Sequence, residues 1–262
     1  MELDIDYKDT FVKKETYIHT VLICLLLFAS SCDSRAPGLC FDGSEPTADR
    51  FVVLDTFDTI IVRDNVQMIL TEGSQSVRIV TSESIIADVV VTVVDGTLTL
   101  SDKNRCDLLE ASEPTLVYVS APNIRRIRNA SQYEVSSEGV LGYESLTLVS
   151  DENENSKYRI ADFRLELAVG GLEVVSNNFS NFYISGSAER AFIGFYGGAG
   201  RFEGAAFLVE ELNVFHRGSN VMIVHPIHSI RGKIVSNGNV IAKNRPEIVE
   251  VEELYTGRLV FD

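Results

Sequence analysis

Leu172-Glu-Val-Val-Ser-Asn-Asn178, Phe192-Ile-Gly-Phe-Tyr-Gly-Gly198, Leu212-Asn-Val-Phe-His-Arg-Gly218 and Gly232-Lys-Ile-Val-Ser-Asn-Gly238 follow one another at a constant interval. Val175, Phe195, Phe215 and Val235 form one apolar column of this repeat, and Phe182, Phe202, Met222 and Ala242 form another. Asn178, Gly198, Gly218 and Gly238 form a third, of small or turn-prone residues. A constant step with apolar columns and a Gly or Asn corner is the pattern of a β-solenoid. Each coil buries one face against its neighbours, equivalent residues stack about 4.8 Å apart, and Gly and Asn supply left-handed φ at the bend. The competing reading is an antiparallel sandwich, whose strands recur every ~8–12 residues with no demand that turn residues align. A looser copy begins at Leu146-Thr-Leu-Val-Ser-Asp-Glu152.

Working outward, Phe51 to Asn129 shows period-two alternation. Ile60, Val62, Val66, Met68 and Leu70, then Val77 and Ile79, then Val89, Val91 and Val93 mark half-buried strands. Val90 and Val94 on the other parity point to strands covered on both faces. Asp95-Gly96 between two such runs predicts a two-residue hairpin, and Glu72-Gly73 and Pro122-Asn123 mark further turns. No window carries a capped 3.6 period, so very little helix is expected. Lys243, Arg245 and Pro246 follow the last repeat, where charge and a missing amide would blunt an open sheet edge. The expected class is all-β and solenoid-like, with an N-terminal strand and hairpin region over 50–130 and solenoid rungs over 131–262.

The N-terminal segment reads as an export signal. Val21–Ala29 is an apolar run of nine residues preceded by Lys13 and Lys14, far short of the ~20 a membrane-spanning helix needs. It ends in Ala29-Ser-Ser-Cys32, which resembles the lipobox of bacterial lipoproteins. There the cysteine thiol takes the lipid and its residue becomes the mature N-terminus. The plainer alternative is an ordinary signal peptide with a cysteine following it by chance. On the lipobox reading, residues 1–31 leave the chain, Cys32 is the lipid attachment site, and 32–49, rich in Pro, Gly, Ser and Asp, form a flexible tether. The body, 50–262, is then a single elongated β domain. Cys40 and Cys106 remain in an oxidising compartment, as a disulfide or as two unpaired thiols.

The 262 residues are 23% charged and 45% hydrophobic, with a net charge of −15 and no Trp. Residues 1–31 carry five acids and three bases, so the remainder still holds 33 acids against 20 bases. A surface that acidic excludes nucleic acid as a partner, because phosphate binding needs a basic face.

The body resembles the bacterial family of auto-transporter adhesin head domains, common in lipoproteins of Bacteroidetes-type bacteria. The matching segments are Phe57-Asp-Thr-Ile-Ile-Val62, Val66-Gln-Met-Ile-Leu-Thr-Glu-Gly73 and Val93-Val-Asp-Gly-Thr-Leu-Thr-Leu100. Val117-Tyr-Val-Ser-Ala-Pro-Asn-Ile124 and Gly232-Lys-Ile-Val-Ser-Asn-Gly-Asn-Val240 complete the set. The resemblance covers residue 50 to the C-terminus and implies an all-β, right-handed β-helix-like fold with no established activity. Asp151-Glu-Asn-Glu-Asn155 departs from it, being acidic where the family often has a Gly-Ser corner.

No catalytic residue is assigned. G-x-S-x-G does not occur, and Gly194-Phe-Tyr-Gly-Gly-Ala-Gly200 has neither dinucleotide nor P-loop spacing, so it reads as a corner. His225-Pro-Ile-His228 with His216 nearby reads as loop histidines, since a Pro-containing extended segment splays the rings that zinc would need to converge. Asp151–Asn155 reads as a solvated turn rather than a calcium loop. Metals and cofactors are therefore not expected. Arg190, Arg201 and Arg217 build no column of the kind that acidic-polysaccharide enzymes on this scaffold use. The expected function is a lipid-anchored cell-envelope protein, on the outer membrane, presenting a non-catalytic solenoid surface to a protein or glycan. Tyr183, Tyr196 and Phe202 are the aromatics to inspect. The alternatives are a polysaccharide-acting β-helix enzyme and a purely structural envelope spacer.

Overall fold

The computed structural model of the chain describes residues 46–103, 114–150 and 160–262. Residues 1–31, Cys32, Cys40, Cys106 and Asp151–Asn155, on which the export, lipid, disulfide and calcium readings fall, lie outside the described residues. Among the described residues there are 17 strands and no helix, and the strands join in one sheet around a common apolar interior.

Four long strands carry the C-terminal half: β11 (Phe163–Ser176), β12 (Phe182–Phe195), β13 (Phe202–His216) and β14 (Met222–Ile234). Each pairs in parallel with the next. The first half of β11 rests on β9 (Val135–Leu141) and its second half on β10 (Ser145–Ser150), both parallel. Parallel pairing keeps one parity inward from strand to strand, so buried residues line up in rows. One row runs Val117, Met68, Val135, Phe163, Phe182, Phe202, Met222, Val240, every member buried. Within it the Phe163 and Phe182 rings stack at 4.9 Å and 9°. A fully buried Phe contributes about 1.5–3 kcal/mol of transfer free energy, so such rows hold the layers together.

The same stacking continues through the N-terminal part. β2 (Thr59–Asp64) lies between β6 (Thr97–Asp102) and β8 (Arg126–Ser131), parallel to both. β3 (Val66–Glu72) lies between β7 (Thr115–Ala121) and β9, again parallel to both, and β8 pairs β10. Three strands run antiparallel at this end: β5 (Val89–Val94) on β6, β4 (Ser76–Ser82) on β7, and β1 (Thr47–Val52) on β4. The β5–β6 turn is Asp95-Gly96 with φ of 48° and 72°, the hairpin its sequence predicts.

The structure corrects five expectations. First, the step is not constant. Leu172 faces Ala191, Ala191 faces Leu212 and Leu212 faces Ile230, so the step falls just short of the sequence interval, then exceeds it, then falls short again. One cause is a bulge: Gly186 comes three places after Tyr183, whereas their partners Glu203 and Phe207 stand four places apart. Val175 therefore faces Gly194 and Phe215 in an outward row, while Phe195 falls in an inward row with Ser176, His216 and Ile234; Met222 faces Val240, not Ala242. Secondly, Gly198, Gly218 and Gly238 do occupy successive corners, linked by hydrogen bonds from Ser219 N to Gly198 O (3.0 Å) and from Gly238 N to Gly218 O (3.3 Å). Of the three, Gly198 alone has left-handed φ, at 80°. Thirdly, Val90 and Val94 are 44% and 66% exposed, so β5 is covered on one face only.

Fourthly, the stack does not end at Lys243–Pro246. β15 (Val240–Ala242) pairs β17 (Leu259–Phe261), and the second half of β14 pairs β16 (Ile248–Glu253). Pro246 is buried at the intervening bend, Lys243 pairs with Asp262, and the Arg245 guanidinium lies 4.6 Å from the Phe261 ring centroid. The glutamates of β16 (Ile-Val-Glu-Val-Glu-Glu) supply the edge charge instead. Fifthly, none of His216, His225 and His228 is a loop histidine: His216 ends β13 and is fully buried, and the other two lie within β14.

Candidate binding surface

The side chains that alternate with the core rows form outward rows across the parallel strands. On the face built from the second halves of the long strands, Thr147, Glu173, Phe192 and Asn213 stand side by side, with Gly171 and Arg190 in an adjoining row. These residues line an open groove of about 320 Å³. Thr147 Oγ1 donates to Glu173 Oε2 at 3.2 Å. Next along the same strands, the rings of Phe192 and Tyr196 lean over Gly194, where an added Cβ would meet Phe192 Cε1 at 2.7 Å and Tyr196 Cε2 at 2.9 Å. Tyr196 packs against Phe215 with ring centroids 5.0 Å apart. The glycine thus makes room for a cluster of three aromatics, and Tyr196 remains 44% exposed.

On the face built from the first halves, a second groove of about 450 Å³ is lined by Arg164, Tyr183 and Glu203, among others. Two of its three charged groups, Arg164 and Glu203, are engaged, and Glu166 is left exposed. Arg164 lies 4.3 Å from the Tyr183 ring centroid and 3.1 Å from Glu134 Oε2, and Glu203 pairs with Arg201. The aromatics singled out in the sequence therefore part company: Tyr196 is on the surface, Tyr183 is half-covered beneath Arg164, and Phe202 is core.

Of the titratable groups with displaced pKa values, Asp262 is exposed and its carboxyl pKa is lowered by the hydrogen bond from Lys243, while His216 and Tyr143 face inward. His216 sits against Phe195, and burial lowers its pKa although a contact with the Asn220 carbonyl acts in the opposite sense. That contact is between Nε2 and Asn220 O at 2.8 Å, and Nδ1 has no partner among the described residues. Tyr143 donates to Ala121 O at 3.2 Å, and burial together with the Glu72 carboxylate pushes its phenol upward. His225 Nδ1 lies 2.9 Å from Ala205 O, and His228 is exposed. Among the described residues no group of three or more His, Cys, Asp or Glu side chains converges as metal ligands.

Sequence reasoning missed a buried polar ladder at one corner. Asn129 Oδ1 accepts from Ser131 N at 3.1 Å and Asn178 Oδ1 from Ser180 N at 3.0 Å, while Asn178 Nδ2 donates to Ser150 Oγ at 2.7 Å. The amides replace bonds that bending backbone would otherwise leave unmade. The signal was the Asn-x-Ser shared by 129–131 and 178–180.

The fold has counterparts among known proteins. The family described as "Putative auto-transporter adhesin, head GIN domain" matches residues 56–246. The chain belongs to this family. No curated protein matches it. Solved structures of similar fold include a "putative adhesin" from Bacteroides fragilis, with a TM-score of 0.72 at 18% identity over 84% of this chain and 98% of that one. A "putative adhesin" from Parabacteroides distasonis aligns with a TM-score of 0.61 at 12% identity, also over 84% and 98%. A "putative lipid binding protein" from the same species gives 0.56 at 14% identity over the same shares. At these identities the likeness speaks for the fold of this adhesin-head chain.

Proposed function

We infer that this adhesin-head chain is an exported cell-envelope protein, held by lipid on Cys32, whose right-handed β-solenoid displays a non-catalytic binding surface. Successive parallel pairing of the long strands β11 to β14, each followed by a corner, supports the solenoid. The observation that carries the display reading is the contrast between interior and surface. The two buried groups with displaced pKa values, His216 and Tyr143, point inward and contact backbone carbonyls, and the third, Asp262, is an exposed carboxylate held by Lys243, whereas the outward rows carry exposed aromatic, amide and charged side chains at regular strand spacing. Such a surface suits recognition of an extended partner, protein or glycan.

Two experiments test this. Metabolic labelling with an alkyne fatty acid should tag the chain and fail for Cys32→Ser; equal labelling of both would remove the anchor. The purified chain, incubated on protein and glycan arrays, should retain a ligand and release no cleavage products by mass spectrometry. Reproducible products would make it an enzyme, and an empty array would leave the spacer. Thiol titration with and without reductant decides whether Cys40 and Cys106 pair.

A further inference from the structure

We propose that the groove on the second-half face is a binding site for a neutral saccharide chain, with Phe192 as the stacking platform and Glu173, Arg190 and Asn213 as the hydroxyl-recognising groups. This deepens the display reading above and rests on it. Three observations converge. First, the groove joins an aromatic ring to planar polar groups. A pyranose offers an apolar C–H face and an equatorial fringe of hydroxyls, so recognising one needs a ring beneath it and amide, carboxylate or guanidinium groups beside it. Phe192, half-exposed and leaning over Gly194, is the ring; Glu173, Arg190 and Asn213 are exposed around it.

Secondly, the polar groups have capacity to spare. Arg190 and Asn213 make no side-chain hydrogen bond or ion pair among the described residues, and Glu173 accepts one bond, from Thr147. In the other groove the guanidinium of Arg164 is held by Tyr183 and Glu134 and Glu203 by Arg201, which leaves a carboxylate, Glu166, but no free guanidinium or amide among the described residues lining it. The difference selects one groove over the other.

Thirdly, charge and spacing specify the ligand. The groove holds one carboxylate and one guanidinium, so it has no net field to match an ion, while the chain as a whole, at −15, repels polyanions. Thr147, Glu173, Phe192 and Asn213 occupy adjacent strands, so the row advances about 4.8 Å per residue, close to the length of one sugar unit in an extended chain. A linear neutral oligosaccharide laid across the strands would meet a new side chain with each unit.

The test is titration of the full chain in nanodiscs with cellotriose, mannotriose and chitotriose, and with an oligogalacturonate as the anionic probe, read by calorimetry and by saturation-transfer NMR. At least one neutral trisaccharide should bind, with transfer from aromatic protons, and the oligogalacturonate should not. Phe192→Ala and Asn213→Ala should each weaken binding about tenfold, whereas Tyr183→Phe in the other groove should leave it unchanged. Asn213 is exposed, so its variant keeps the test valid should Phe192→Ala unfold. Tighter binding of the oligogalacturonate, or neutral binding indifferent to both groove variants, would overturn the proposal. Absence of any trisaccharide binding while the arrays retain a ligand would overturn it and spare the display reading. An empty array as well would overturn both.

Discussion

Gly198→Ala is the sharpest test of how the layers are held. Gly198 has φ of 80°, and a Cβ there would press into the Asn178 carbonyl of the neighbouring corner, its carbon at 2.6 Å. Left-handed φ costs a non-glycine residue roughly 1–2 kcal/mol, and forcing a methyl into packed backbone adds about 1–3 kcal/mol. The expected loss is about 2–5 kcal/mol, or very roughly 5–20 °C in Tm at the ~2–4 °C per kcal/mol of a chain this size. Its neighbours supply controls. Gly197 has no left-handed φ, and a Cβ there meets Asn177 O at an ordinary 4.0 Å. Gly197→Ala should therefore be neutral or stabilise by about 0.4–1 kcal/mol through the unfolded chain. Gly218 would bring a Cβ to 3.2 Å from His216 Cε1, a buried ring that must give by a few tenths of an ångström, so Gly218→Ala should fall between them. Urea unfolding followed by circular dichroism reads all three, with hydrogen exchange at Ser219 and Gly200 reporting loosening at the corner. Equal losses for Gly197→Ala and Gly198→Ala would refute the argument that stacking of successive corners sets the cost.

Other consequences follow from the interior and the edge. Burial lowers the His216 pKa, so the unfolded chain takes up a proton near pH 6.5 while the folded one resists; stability should be full above that pH and fall as pH drops toward the lowered folded value, by at most about 1.4 kcal/mol per pH unit. Melts between pH 8 and pH 5 check this, and His216→Phe should flatten that part of the profile. Asn178→Ala removes the acceptor for Ser180 N and the donor to Ser150 Oγ inside the protein, and should cost about 1–3 kcal/mol in urea unfolding. Lys233→Ala breaks an exposed pair with Glu252 at 3.3 Å and should change stability by no more than about 1 kcal/mol in the same assay.

Much of the architecture was legible in the chain itself. Period-two alternation named the strands, Asp95-Gly96 named its hairpin, and the recurrence begun at Leu172 announced successive layers with Gly198, Gly218 and Gly238 at neighbouring corners. These are local properties, since side-chain alternation and turn geometry depend on residues close in sequence. Register was not local. A short step from β11 to β12 turns Phe195 inward, a bulged residue in β13 then lengthens the step so that His216 is inward and Phe215 outside, and the passage to β14 shortens it again. One residue of slip moves a side chain to the opposite face, and the slip is decided by which backbone pairs with which. For the same reason the candidate groove was invisible beforehand: Thr147, Glu173, Phe192 and Asn213 lie far apart in sequence and become neighbours only when their strands are stacked. The chain alone dictated strands, turns and an acidic exterior; tertiary pairing decided which aromatics are core and which polar groups share a surface, because only the hydrogen-bonded register brings distant residues side by side.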